Sequence, residues 1–475
     1  MLATFLKWAL LSVGVVVALL VGAYALSARW PIPQAQQQAL AQLRQPRPAP
    51  PAGSNLFVAL WASPYTIPNE EQAAVLARDL QRFQRTPVAS GFRSELTAVL
   101  ARDLQRFQRT PVASGFRSEL SRYPCAPAWP ATAPPQCGWA VSGCLAQVRA
   151  QSRSYAAALA PQAPLLARMA SFSQHAYYRD PFPRRIGSPL PELQGLTLSM
   201  TQHALDFVQW RQAQAVAAVC SDAQVARVLL RSDESLIVTM IGGAMLRGNA
   251  DLFASMLSEL PVNVALPAQC ASAFAPLRVE DSSLCGALHG EARIVDAVYA
   301  QMLGEMDQRA QRWYDRAVLK FFDAERTRAL TAPNYTWACS DAVRKQLVQD
   351  ARVDGSALAS PPAKDVACMA NAVGCVLADA QYSDGGNYQR QLQDTAAAMR
   401  LIGVVLWLRE HPDARPLAQR LQELPDELVR PARGITIAAQ GPAVQVPRYA
   451  RHTQAILQFP LAGSALANPS AVSLQ

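Results

Sequence analysis

The sequence predicts a mainly α-helical protein with an N-terminal transmembrane helix, a multi-helix periplasmic body and a small C-terminal β hairpin. Three observations predict this fold class. The chain begins with an uncharged apolar run, and residues 145–424 are rich in alanine, leucine, glutamine and arginine with little strand-like alternation. The tail instead has two short alternating runs on either side of Gln440-Gly441, a pattern typical of a hairpin.

The N-terminal run from Trp8 to Leu26 contains 19 residues. About 20 apolar residues span a bilayer as a helix, whereas the apolar part of a cleavable signal peptide has roughly 7–15. The length favours a retained signal-anchor over residues 1–30, although Ala23-Tyr24-Ala25 has the small-x-small pattern of a cleavage site. Lys7 favours a cytoplasmic N-terminus. We therefore expect a single-pass protein of a bacterial inner membrane, in contact with the bilayer through residues 8–28, with its body in the periplasm.

Three further segments are expected after the anchor. Residues 31–53 contain six prolines and a glutamine-rich patch, which predicts a semi-extended linker with little to bury. Residues 54–430 form the predicted helical domain. Within it, the run from Leu401 to Leu408 is too short to span a membrane and predicts a buried helix, and Gly242-Gly243 predicts close helix packing. Residues 431–475 form a small β element and a tail, where Ile456 to Phe459 could add a third strand.

The helical domain begins with an internal repeat. Residues 74–96 and 98–120 are identical, with a period of 24 residues. Solenoid repeats diverge and need about three copies to stack. A single identical copy therefore indicates a recent tandem duplication, or an error in the sequence record. Because only one copy can occupy the original position, we expect the other to pack loosely.

Nine cysteines predict disulfides in an oxidising compartment, because even the closest pairs are seven residues apart, too far for C-x-x-C zinc sites. Seven helical residues rise about 10.5 Å, whereas bridged Cα atoms lie within about 7 Å. Cys368 and Cys375 should therefore not pair if their segment is helical. Since nine is odd, one thiol stays free or pairs between chains, and Cys220 is the expected free and buried one. The expected pairings are Cys125 with Cys137 or Cys144, Cys270 with Cys285, and Cys339 with Cys368 or Cys375.

The formal charge of +9 comes almost entirely from arginine, since only four of the 44 basic residues are lysine. Nucleic-acid binding would require a dense basic stripe on a recognisable module, and these arginines are scattered along the chain. We therefore expect no nucleic-acid partner. A weak attraction to anionic lipid headgroups fits the charge better.

One constellation of chemically active side chains stands out, formed by Cys285, His289 and Glu291. On a helix, Cys285 and His289 would share a face, as in half of a metal site or a thiol activated by imidazole. A structural interpretation is favoured, with Cys285 bridged and His289 closing a turn before a long helix. The carboxylates of Asp233-Glu234 likewise fit a helix start, where they complement the helix dipole.

The sequence has no G-x-S-x-G, H-E-x-x-H or Walker A motif, and it predicts no cofactor or metal. We expect a non-catalytic binding or assembly role, as a scaffold or an immunity-type partner of another envelope protein. The alternative is an envelope enzyme or metal-binding protein that uses Cys285, His289 and Glu291. A free Cys285 beside His289 in a cleft would favour the alternative, and a bridged Cys285 would disfavour it.

Overall fold

The computed structural model describes residues 2–86, 116–185, 187–309, 320–355, 366–381, 385–439, 441–452 and 454–462. As predicted, the protein is mostly helical, with a small antiparallel sheet near its C-terminus. The helices are α1 (Leu2–Arg29), α2 (Gln34–Leu43), α3 (Leu56–Ala62), α4 (Asn69–Arg85), α5 (Cys144–Ala150), α6 (Ser152–Leu159), α7 (Ala163–Met169), α8 (Thr197–Val208), α9 (Gln212–Leu230), α10 (Leu236–Glu259), α11 (Gln269–Ala273), α12 (Cys285–Arg309), α13 (Ala324–Thr331), α14 (Pro333–Thr336), α15 (Asp341–Gln349), α16 (Ala372–Gln381), α17 (Gly386–Glu410) and α18 (Leu417–Arg420).

The core lies where α8, α9, α10 and α17 pack together. Gly242 permits the close approach of α10 to α9, because a Cβ there would lie 2.3 Å from the backbone nitrogen of Leu230. The close packing predicted at Gly242-Gly243 is therefore confirmed. The run from Leu401 to Leu408 lies within α17, where Leu401 and Ile402 are fully buried, which confirms the predicted buried helix.

Two of the described helices are long and apolar enough to cross a membrane, and their burial separates them. Residues Leu10–Arg29 have a mean hydropathy of 2.3 and are only 6% buried, whereas α9 has a mean hydropathy of 1.2 and is 61% buried. Helix α9 is thus a core helix of the body. The exposed N-terminal helix has the properties of a signal anchor.

The last turn of α1 is built into the body. The Ser27 side chain is fully buried, donates to the Ala367 carbonyl at 3.1 Å and accepts from the Ala370 N–H at 2.8 Å. The Tyr24 hydroxyl donates to the Lys320 carbonyl at 2.8 Å. These contacts fix the end of α1 against the segment that leads into α16.

The segment of residues 31–53 differs from the expected semi-extended linker. Its glutamine-rich part forms α2, and Leu40 of this helix packs against Ala329 and Ala332 of the body. Further along, the Arg47 guanidinium contacts the carboxylates of Asp233 and Glu234. The composition predicted little structure in this segment, but α2 is stabilised because its apolar side packs against the body.

The described parts of the repeat come from both copies. Helix α4 contains the start of the first copy and buries Val75 and Phe83. The last residues of the second copy pack on it, with the Phe116 ring 5.4 Å from the Phe83 ring and the Ser118 hydroxyl hydrogen-bonded to Asp79. Residues 87–115 lie outside the described residues, so the prediction of a loosely packed copy stays a prediction.

The C-terminal β element is a three-stranded antiparallel sheet in the order β1 (Thr436–Ile437), β2 (Ala443–Pro447), β3 (Ile456–Pro460). The predicted hairpin around Gln440-Gly441 and its third strand are confirmed. Val444 and Phe459 are paired and fully buried, so one face of the sheet packs on the helical core.

The cysteines form four disulfides among the described residues, and none of the expected pairings is correct. Cys125 is free and exposed rather than bridged to Cys137 or Cys144, and Cys220 is bridged rather than free. Two of these bridges join distant elements and two close segments of seven residues, and spacing along the chain does not reveal which cysteines pair. The observed pairs are Cys137–Cys144, Cys220–Cys270, Cys285–Cys339 and Cys368–Cys375.

The condition of the distance argument is not met at the Cys368–Cys375 pair. That condition was that both residues lie in one helix, but Cys368 ends a short 3-10 turn (Val366–Cys368) and α16 begins only at Ala372. The chain bends between the two, which brings their Cα atoms to 5.8 Å. The disulfides indicate an oxidising compartment outside the cytoplasm.

Candidate functional site

The structure places Cys285 at the first residue of α12, in a disulfide with Cys339. The expected bridge to Cys270 is wrong, because Cys270 on α11 faces Cys220 on α9. A disulfide sulfur is neither a thiolate nucleophile nor a thiolate metal ligand. The bridged state of Cys285 therefore disfavours a role for this residue in thiol or metal chemistry.

His289 lies one turn after Cys285, and its Nε2 atom is 3.3 Å from the Cys339 sulfur. One ligand atom from each of Cys285, His289 and Cys339 falls within 4.8 Å of the others. Burial, assisted by the nearby Arg293, lowers the pKa of His289, so the imidazole is neutral at pH 7. A neutral His289 imidazole packs against the disulfide and is not a general acid.

Glu291 has a structural role at the start of α10. Its carboxylate accepts a hydrogen bond from the Leu236 N–H at 2.7 Å, and burial raises its pKa. This contact satisfies one of the N–H groups that every helix leaves unpaired at its N-terminus. Cys285 and His289 are thus brought together, but Glu291 is directed to a different element.

A cleft of about 410 Å³ adjoins the Cys285–Cys339 disulfide. Its charges are already paired, since Asp281 binds both Arg231 and Arg278 at 3.0 Å and Arg344 lies 3.3 Å from Glu280. Such paired groups leave little charge with which to recognise a ligand.

Asp233 and Glu234 lie at a helix start, as predicted, directly before Ser235, whose side chain caps α10 at the Val238 N–H. Glu234 is almost fully buried and binds the guanidinium groups of Arg47 and Arg184. Asp233 binds Arg47 as well. The pair therefore joins the segment after α2 to the core.

A second cavity, of about 220 Å³, has unpaired charged groups in its wall. We call it the C-terminal cavity; it lies between the loop closed by Cys137–Cys144, helices α10 and α17, and the C-terminal sheet. The Arg247 guanidinium lines it and donates through Nη1 to the Gln391 carbonyl at 3.0 Å and to the Thr395 hydroxyl. Arg448 lines it from the sheet, and its Nε donates to the Ile456 carbonyl at 3.3 Å.

Neither Arg247 nor Arg448 forms an ion pair with a carboxylate of the described residues. Asp394, an acid in this wall, already accepts from Arg433 at 2.6 Å and from two backbone N–H groups. Burial lowers the pKa of Arg247 to about 10, which leaves it positively charged at pH 7.

Two further polar groups lie in the wall of the C-terminal cavity. Asp251 on α10 accepts from the Gly143 N–H, and burial raises its pKa to about 6. The Trp139 Nε1 atom is buried and has no hydrogen-bond partner among the described residues. Gly248 allows the Trp139 loop to close on α10, since a Cβ there would lie 2.9 Å from the Trp139 Cα.

Sequence reasoning missed the C-terminal cavity. Its polar groups come from four separate segments, and one pair, Arg247 and Asp251, lies four residues apart on α10. An arginine and an acid at that spacing usually form a surface ion pair, so nothing in the sequence singled them out.

A separate feature lies in the turn between α8 and α9. Trp210 is 86% exposed, and its backbone is in the left-handed region with φ of 67°. The Arg211 N–H donates to the Asp206 carbonyl at 2.9 Å, and the Arg211 side chain pairs with the Asp206 carboxylate. The turn therefore exposes the Trp210 side chain to solvent, with the Trp210 backbone in a left-handed conformation that is unfavourable for residues other than glycine.

No protein family model matches the chain, and no curated protein or solved structure shows significant similarity to it.

Proposed function

We propose that this chain is a single-pass protein of a bacterial inner membrane whose periplasmic body binds another envelope protein without catalysing a reaction. The observation on which the proposal depends is Trp210, exposed and held in a strained conformation. Strained backbone conformations cluster at functional sites, and tryptophan is enriched at the energetic centres of protein interfaces.

The N-terminal helix supports the membrane part of the proposal. Its apolar side chains face outward over several turns, with Leu19 67% exposed and Val21 62% exposed. Exposure of this apolar surface to water is unfavourable, whereas lipid tails would bury it. Because Ser27 and Tyr24 fix the last turn to the body, the body would rest at the bilayer surface.

The test is site-specific photo-crosslinking in cells, with a photoreactive amino acid at Gln209, which is exposed beside Trp210. We expect one predominant protein adduct, identified by mass spectrometry as an envelope protein. In a Trp210→Gly background the adduct should disappear, because the tryptophan side chain supplies the buried anchor.

Trp210→Gly also separates binding from folding. Glycine adopts positive φ without steric cost, so this variant should be more stable than the parent by about 1 kcal/mol. Val429→Ala, which shortens another exposed apolar side chain, serves as the control and should keep the adduct. An adduct that persists in Trp210→Gly, or one formed only with cytoplasmic proteins, would contradict the proposal.

A further inference from the structure

The C-terminal cavity presents hydrogen-bond donors that lack acceptors. Within the described part of the chain, Arg247 donates through Nη1 alone, toward α17, and Arg448 donates through Nε alone, to the Ile456 carbonyl. The buried Trp139 Nε1 has no acceptor among the described residues. The buried indole N–H lacks an acceptor, which costs free energy, and two half-buried guanidinium groups line the same cavity, so this wall is suited to an acceptor-rich ligand.

The charges in the wall indicate an anion with a single negative charge. Arg247 and Arg448 contribute two positive charges, and Asp251 contributes up to one negative charge. Asp394 is compensated by Arg433, whose guanidinium lies 2.6 Å away, and Arg451 is exposed at the rim, where solvent screens it. A monoanion would leave the cavity nearly neutral, whereas a dianion would be repelled by Asp251.

Part of the remaining wall is apolar. Phe459 is fully buried, Leu457 is nearly so, and both line the cavity beside the Trp139 ring. The volume of about 220 Å³ is smaller than the roughly 300–1,000 Å³ of drug-sized sites. The ligand therefore has one acidic end and a short apolar body.

We propose that the C-terminal cavity binds a small organic monocarboxylate, with the carboxylate held by Arg247, Arg448 and the Trp139 indole N–H. The guanidinium groups match the planar carboxylate, and Leu457 and Phe459 accept the apolar body. This site does not depend on Trp210 or on a protein partner.

The test is calorimetric titration of the full chain in detergent with hexanoate. Hexanamide, which has the same shape without the charge, should bind at least about tenfold more weakly. Inorganic phosphate, which lacks the apolar body, should bind more weakly than hexanoate. N-acetylleucine distinguishes the source of the carboxylate: if it binds more tightly than hexanoate, the cavity receives the end of a peptide, and if less tightly, a free acid.

Three variants locate the binding to this cavity. Arg448→Gln should weaken hexanoate binding about tenfold or more, because a charge-assisted hydrogen bond is lost. Arg451→Gln, at the exposed rim, should change it less than about twofold. Trp139→Phe keeps a ring against Gly248 but removes the N–H, and should weaken binding about threefold to tenfold without lowering the melting temperature.

Several results would overturn the proposal: no binding of either acid, equal binding of hexanoate and hexanamide, or tighter binding of phosphate. Equal losses in Arg448→Gln and Arg451→Gln would do so as well. An unchanged affinity in Trp139→Phe, with the fold intact, would remove the indole N–H from the site and would contradict the assigned geometry.

Discussion

At the scale of single residues, many arginines act inside the protein. The Arg409 guanidinium donates to the carbonyls of Leu257 and Leu260 at 3.1 Å, at the end of α10. Arg420 donates to the Leu408 and His411 carbonyls at 3.0 and 2.7 Å, at the end of α17. Helix ends leave carbonyls unpaired, and a planar guanidinium satisfies several at once. The scattered arginines of the sequence thus include buried helix caps.

Asp251 provides a test of this residue-scale electrostatics. Its pKa is raised to about 6 in the folded protein, from 3.8 as the ordinary value, so the folded state binds the proton more tightly than the unfolded state. Its contribution to stability is therefore present below pH 4 and is lost as the pH rises through 6. Asp251→Asn, which resembles the protonated acid, should raise the melting temperature relative to the parent more at pH 7.5 than at pH 4.5.

For Asp251→Asn at pH 7.5, the free energy of unfolding should increase by at most about 3 kcal/mol, at roughly 1.4 kcal/mol per pKa unit. The increase should be below this limit because the carboxyl lines a cavity, where solvent screens its charge. Asp413 is the matched control. Hydrogen bonds from Arg415 lower the pKa of this half-buried carboxyl, so Asp413→Asn should lower stability most at high pH, where the carboxylate is ionised. Identical pH dependence of the two variants, measured by calorimetry, would contradict the assignment.

At the scale of elements, one structural unit is assembled from both copies of the repeat. Helix α4 belongs to the first copy, and Glu119, which pairs with Arg78 at 2.6 Å and with Arg82 at 2.9 Å, belongs to the second. Phe116 adds an aromatic contact to Phe83. In a chain without the duplication, residues 92–96 would supply the same side chains in the same order.

Deletion of residues 92–115 tests this interpretation. It joins Gly91 to Phe116 and restores a single copy while keeping every described contact between α4 and residues 116–120. We expect a nearly unchanged melting temperature, or a slight increase, because a shorter connection costs less entropy to close. A large decrease in circular-dichroism melts would mean that both copies pack in the folded protein.

The attachment of residues 31–53 to the body can be tested at Arg47. Arg47→Ala removes a cation from the almost fully buried Glu234, and it should lower the free energy of unfolding by about 2 kcal/mol, since Arg184 still compensates Glu234. Arg44→Ala is the matched control, because its ion pair with Glu325 is about half exposed and contributes little. Equal effects of the two variants in denaturant titrations would contradict a buried role for Arg47.

At the scale of the whole molecule, disulfides connect neighbouring elements of the helical body. Cys220–Cys270 joins α9 to α11, and Cys285–Cys339 joins the start of α12 to the turn before α15. The paired cysteines are 50 and 54 residues apart in the sequence, so each bridge closes a long loop and restricts the unfolded chain substantially. The framework fits a protein that folds outside the reducing cytoplasm.

Thiol mapping of the protein from its native membrane tests this framework. Under non-reducing conditions we expect one alkylated cysteine, Cys125, and four bridged peptide pairs in the mass spectrum. Alkylation of Cys125 should not require denaturant, because the residue is exposed. Nine reactive thiols would place the body in the cytoplasm and would contradict the proposed topology.

The sequence by itself determined the helical class, the exposed N-terminal helix, the buried run in α17 and the C-terminal hairpin. Each depends on periodicity, composition or turn residues within about 25 neighbouring positions, and such local preferences survive folding. The close packing at Gly242-Gly243 belongs with them, because two adjacent glycines inside an apolar helix leave a gap that a neighbour fills.

Only the tertiary structure decided the disulfide pairing, the attachment of α2 and the C-terminal cavity. Cys270 pairs with Cys220 because α11 packs on α9, and Arg247 meets Arg448 because the C-terminal sheet packs on α10 and α17. These contacts join residues 50 to about 200 positions apart. They follow from which helix faces are buried together, a property of the packed molecule that no local pattern encodes.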